Sequence, residues 1–201
     1  MPVTDLDLVN QALLILGEDT VAALTDEPVG VTCDALYDTH TNFWLATYPW
    51  SFCKAKVKLV VTTAPLTVWT YAHTLPANRL TGSWAVYNTD SVGASPIRDY
   101  DIQGQTLLSN EPEIWVDYTA RPDEDNWPAY FQGFVVYALA SVFANPITQD
   151  SGLAQEMRGI AFGSPADNGR GGMFGMAMAT DSQLKPSSVI VDSPIIEARF
   201  S

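Results

Sequence analysis

YDIQGQTLLSNEPEIWVDYTARPDEDNWPAYFQGFVVYALASVFANPIT, residues 100–148, runs from a β-hairpin into a nearly uncharged helix. Ile102 and Leu107-Leu108 flank Gln103-Gly104-Gln105, a loop whose glycine can take the positive φ of a tight reversal. Ile114-Trp115-Val116-Asp117-Tyr118 reads as a further strand, rich in β-branched and aromatic residues. From Pro128, a residue suited to a first helical turn, a run without a charged side chain extends to Ala144, and Asn145-Pro146 predicts its stop. A helix with so little polar surface has to be enclosed by other elements. As a membrane span its roughly 17 residues would fall at the lower limit, and it contains Gln132, Gly133 and Ser141, so it is read as a buried helix with no membrane involved.

Upstream, Thr4 is a candidate N-cap, with Asp5 and Asp7 placed where negative charge suits the helix start. Leu6, Val9, Leu13 and Leu16 follow at helical spacing, and Gly17 supplies the stop. After a loop through Pro28-Val29-Gly30, Thr32 is the expected cap of a second helix ending at Tyr48. Ala35, Leu36, Thr39, Phe43 and Ala46 are expected on its buried side, leaving Asp34, Asp38 and Asn42 for water or a neighbouring chain.

Between these helices and the long one lie strand candidates at 52–61, 68–75, 84–88, 98–102, 106–108 and 113–118, punctuated by turn residues. A shorter fourth helix is expected from Thr148 to about Phe162. The order helix, helix, strands, helix, helix predicts an α+β fold: a bundle of about four helices drawn from both sides of a β-rich, sandwich- or barrel-like insertion, because neither half can bury its apolar stripe alone. The expected units are residues 1–49 with 122–165 for the bundle, 50–121 for the insertion and 166–201 for an extended C-terminal tail.

The tail is rich in glycine from Gly163 to Gly175, and the entropy cost of ordering it argues against a packed element there. It also carries Val189, Ile190, Val191, Ile195, Ile196 and Phe200. An apolar segment on a flexible leash suits a partner surface, the alternative being that it folds back on its own domain, and these six residues are the candidate partner-binding site.

The chain has 201 residues, 47% of them apolar, enough for one sizeable core. Its 23 acidic and 10 basic residues give a net charge of −13, which opposes tight phosphate binding. The densest basic cluster, Lys54, Lys56 and Lys58, alternates along a strand as a solvated face that discourages edge pairing. Cys33 and Cys53 predict no disulfide framework, and His40 and His73 lack the spacing of a zinc site. No cofactor is expected. The acidic N-terminus does not read as a targeting segment.

Taken together, two stretches resemble the tail tubular protein A (adaptor) family, head-to-tail connectors of T7-like bacteriophages. One is DLVNQALLILGEDTVAALTDE at 7–27 with YPWSF at 48–52; the other is YDIQGQTLLSN, IWVDYTA and WPAYFQGFVVYALASVFANPIT. With the strands between them, the resemblance covers roughly residues 4–162. It implies a non-enzymatic virion subunit at the head-tail interface, assembled in the host cytoplasm as a dodecameric ring. The ring would bind the portal protein on one side and a downstream tail or nozzle protein on the other. DNA would pass through the centre without specific binding, which an acidic lumen favours.

The competing expectation is a monomeric β-sandwich carbohydrate-binding or glycosidase-like tail protein. Asp99, Asp101, Asp117, Asp123, Glu124 and Asp125, with Trp69, Trp84, Trp115 and Trp127, supply the carboxylates and aromatic platforms of such a cleft. The Asp123-Glu124-Asp125 run also fits a solvated loop before a helix.

Overall fold

Thr4 opens the first helix as the sequence predicts. In the computed structural model, which describes residues 2–26, 28–62, 68–80, 85–91 and 93–184, its hydroxyl accepts from the Asp7 amide, and Asp7 reciprocates to the Thr4 amide. Those bonds hold the Asp7 carboxyl below its ordinary pKa. Helix α1, Asp5–Leu16, ends at Gly17 with φ of 78° and buries Leu8, Val9, Ala12, Leu13 and Leu16.

Helix α2, Val29–Thr47, departs from expectation in two ways. It starts a turn before Thr32, whose hydroxyl instead donates 2.8 Å back to the Pro28 carbonyl. Its buried side is Cys33, Tyr37, Thr41, Trp44 and Leu45. Ala35, Thr39 and Phe43 face outward, because the larger Trp44 and Tyr37 rings take the core side. Asp34 is exposed as expected, but Asp38 and Asn42 are engaged by Arg121 at 2.8 and 3.1 Å.

The insertion forms two antiparallel sheets. Strands β1 (Lys54–Lys58), β7 (Trp115–Thr119) and β4 (Ala85–Tyr87) make one, in the order β1-β7-β4. Strands β2 (Val60–Val61), β3 (Tyr71–Thr74), β6 (Thr106–Ser109) and β5 (Tyr100–Gln103) make the other, in the order β2-β3-β6-β5. Gly104, with φ of 59°, turns β5 into β6 through the two-residue loop Gly104-Gln105. Leu107 from one sheet and Val86, Val116 and Tyr118 from the other share a core with Leu59, Leu75 and Ile114. Both sheets of the insertion thus contribute side chains to one core.

Helix α3, Ala129–Thr148, is the axis of the bundle and packs against α1, α2, α4 (Ser151–Phe162) and α5 (Gly172–Gln183). By length and composition it could cross a membrane, but half of its apolar window is buried within the fold. It does not stop at Asn145-Pro146: Pro146 lies inside its last turn. Ile147 continues the packing face there, and the Thr148 hydroxyl donates 2.7 Å to the Ala144 carbonyl. A missing amide in a final turn costs one bond, which this packing offsets.

The largest correction concerns the segment after Phe162, read from its glycines as low in order. Residues 172–183 form α5, whose Phe174, Ala177 and Asp181 are buried. The glycines make the connection rather than dissolve it. Gly163 and Gly172 have φ of 78° and 55°, and a Cβ on Gly172 would lie 2.7 Å from the Gly163 amide nitrogen. The tight reversal they allow delivers Phe174 into the bundle, where burial of its ring outweighs the ordering cost.

Candidate docking groove

An aromatic cluster sets the floor of the site. The Phe134 ring lies 5.0 Å from Phe174, 5.5 Å from Phe162 and 5.6 Å from Trp44, measured between centroids. Trp50, fully buried, lies 4.9 Å from Phe131 and donates its indole N–H 3.1 Å to the Trp44 carbonyl. Edge-to-face and tilted ring pairs of this kind fix mutual orientation as well as bury area.

Above this floor a groove of about 1280 Å³ opens between α2, α4, one edge of α3 and the loop 163–170. Trp44 is 3% exposed at its base, whereas Phe43, the next residue, is 64% exposed on its wall. His40 lies one turn before Trp44, its ring 5.8 Å away, and burial holds its pKa below the ordinary value. The imidazole is therefore neutral at neutral pH, and the positive charge of the groove comes from Arg158 on α4 and Arg170 on the loop. Among the described residues no carboxylate lines the groove, although the chain carries 23. Among the described residues neither arginine is in an ion pair.

Four other basic groups, Lys56, Lys58, Arg79 and Arg121, are engaged elsewhere. Lys56 meets Asp90 at 2.8 Å and Lys58 meets Glu113 at 2.6 Å. The Lys56 ammonium also lies 5.1 Å from the centre of the Tyr87 ring; the lysine face of β1 is exposed as expected, and two of its three charges, on Lys56 and Lys58, are paired. Arg121 bridges Asp38 and Glu124 at 2.8 and 3.1 Å, joining α2 to the segment that leads from β7 into α3. Arg79 clasps the β5–β6 turn through Gln105 and the Gly104 carbonyl.

The carboxylates considered for a glycosidase cleft are distributed over the fold. Asp117 is on β7 in the three-stranded sheet, and Asp101 is on β5 in the four-stranded one. Glu124 accepts from Arg121 and from the Tyr37 hydroxyl at 3.3 Å. Trp127 is buried and donates to the Pro122 carbonyl at 3.1 Å, so it offers no platform, while Trp84 lies outside the described residues. Among the described residues no group of three or more His, Cys, Asp or Glu is placed to hold a metal ion. Cys33 and Cys53 are free and buried.

The predicted partner-binding residues Val189, Ile190, Val191, Ile195, Ile196 and Phe200 lie outside the described residues. Sequence reading missed Phe43, which it assigned to the core, and Arg158 and Arg170, which are isolated charges in the chain. Only the structure puts these three around one opening. No protein-family model matches the chain, and no curated protein matches it significantly.

Proposed function

We propose that this chain is a non-enzymatic head-to-tail adaptor of a tailed bacteriophage, a ring subunit joining portal to tail and bounding part of the DNA channel. The observation that carries the reading is the way α1 and α2, before the β insertion at 54–119, close with α3, α4 and α5, after it, into one bundle. That order is the one the resemblance implies, and the quoted motifs sit at its joints: YPWSF at the exit from α2 and WPAYF at the entry to α3.

Charge supports the same reading. The net −13 is unsuited to gripping phosphate but suits a channel wall along which DNA must slide. The groove supports it from another side, because a ring subunit needs a recess that its neighbour can fill. In this reading the subunits form a dodecamer, bind the portal and the next tail protein, and reside in the virion after assembly in the host cytoplasm.

A stop codon early in the gene, in its native phage background, tests the proposal. The expected outcome is accumulation of DNA-filled or leaking heads without tails, rescued by the wild-type chain supplied in trans. Tailed, infectious particles lacking this chain would refute it.

A further inference from the structure

The groove and the last described residue lie at opposite ends of α5. Phe174, at its N-terminal end, lines the groove, and Asp181, near its C-terminal end, is held by Ser51 and Tyr130. The ten residue steps from Phe174 to Leu184, at about 1.5 Å each, carry the chain about 15 Å along the helix. Helix α5 thus leads the chain away from its own groove before residues 185–201 begin.

Those residues read KPSSVIVDSPIIEARFS. Within them, 189–197 combines branched apolar side chains with Asp192 and Glu197 and contains no basic residue. The groove is the counterpart in each respect. Among the described residues it has an exposed aromatic wall at Phe43, two arginines free of ion pairs and no lining carboxylate. Its 1280 Å³ exceeds the ~300–1,000 Å³ of typical small-molecule pockets and suits a length of extended chain.

We propose that residues 189–197 of one copy dock in the α2–α4 groove of a neighbouring copy, their apolar side chains against Phe43 and their carboxylates on Arg158 and Arg170. A recess at one end of α5 and a segment leaving from the other end give the subunit two complementary faces, the requirement for head-to-tail assembly. The inference deepens the ring reading and rests on it for the closing of successive contacts, while the contact itself needs only two copies.

Complementation between full-length variants tests this. A groove variant carries Phe43→Gln, Arg158→Gln and Arg170→Gln; a tail variant carries Ile190→Ser, Asp192→Asn, Ile195→Ser and Glu197→Gln. Circular dichroism verifies that both retain the wild-type helix content. In sedimentation velocity the wild type is expected to associate with rising concentration, and each variant alone to do so about tenfold or more weakly. Their mixture retains one intact interface and should give 1:1 dimers that grow no further. A benzophenone amino acid in place of Phe43 should cross-link to residues 189–197 of a second, isotope-labelled copy. Cross-links confined to one copy, capture of portal alone, absence of any cross-link, or association indifferent to the groove variant would each overturn the proposal. If the groove variant still forms rings on portal, this contact is wrong and the adaptor reading stands. If copies link through the groove but ignore portal, the reverse holds.

Discussion

The Asp181 carboxylate accepts a 2.6 Å hydrogen bond from the Ser51 hydroxyl, across 130 residues of chain. The Ser51 amide donates to it at 3.0 Å and the Tyr130 hydroxyl at 2.9 Å, so one fully buried group ties α5 to the exit from α2 and the first turn of α3. The negative charge also pushes the Tyr130 hydroxyl up to about 12, behind the larger effect of burial.

Replacing Asp181 by Ala strands these donors in the interior, where an unsatisfied group costs about 1–3 kcal/mol. A net loss of about 3 kcal/mol, at about 2–4 °C per kcal/mol in a chain of this size, lowers the melting temperature by about 6–12 °C. Asp181→Asn keeps an acceptor oxygen and should lose less. Equal melting temperatures for wild type and Asp181→Ala would show that α5 is held by apolar contacts alone.

Phe134 is fully buried among Trp44, Phe131, Phe162 and Phe174. Phe134→Ala should cost about 3–5 kcal/mol by the cavity it leaves. Phe134→Asp should prevent folding, because an unpaired carboxylate there costs several kcal/mol against a total stability of about 5–15. Urea unfolding followed by tryptophan fluorescence measures both. A soluble Phe134→Asp protein with wild-type stability would contradict the bundle.

His73 supplies an acid-sensitive point in the β domain. It is fully buried, its Nε2 lies 3.1 Å from the Glu111 carbonyl oxygen, and its Nδ1 is buried without a partner among the described residues. A neutral ring donating from Nε2 fits this site, whereas a charged ring would bury an N–H with no acceptor. Burial accordingly lowers its pKa from the ordinary value of 6.5, more than the Glu111 carbonyl raises it. Because the unfolded chain then binds the proton more readily, stability is full above about pH 6.5 and falls below it, by at most about 1.4 kcal/mol per pH unit for this residue. His40 shifts in the same direction, also through burial. Melting temperatures between about pH 8 and about pH 5 should decline less steeply for His73→Leu than for the wild type; identical slopes would remove His73 from the account.

Burial pushes the Cys33 thiol up to about 11 and the Cys53 thiol up to about 12, the latter helped by the Asp181 charge. Neither offers thiolate at neutral pH. A colorimetric thiol reagent should label neither in the native protein and both in denaturant, and fast native labelling of either would show that the bundle opens locally.

Patterns that repeat within one element were legible in the sequence. Thr4 and Gly17 bound α1, Gly104 turns the β5–β6 hairpin, and the uncharged run after Pro128 becomes the central helix, because each signal acts on its own few residues. What escaped depends on partners distant in the chain. Phe43 and Trp44 are adjacent aromatics, and only the arrival of Phe134, Phe162 and Phe174 decides that Trp44 goes inward while Phe43 remains outside. Glycine counting failed for α5 for the same reason, since Gly163 and Gly172 acquire their meaning from the Phe174 pocket they serve. The groove is the least legible part: Arg158 and Arg170 belong to one opening only once α4 and the following loop fold against α2.

The adaptor account is tested most directly by native mass spectrometry of the full-length chain with the portal protein from the same phage genome, alongside each component alone. The account predicts a complex in which a closed ring of identical copies sits on the portal ring, with free chain at lower order. A chain that remains monomeric beside intact portal rings, with no mixed species at any ratio, would contradict it.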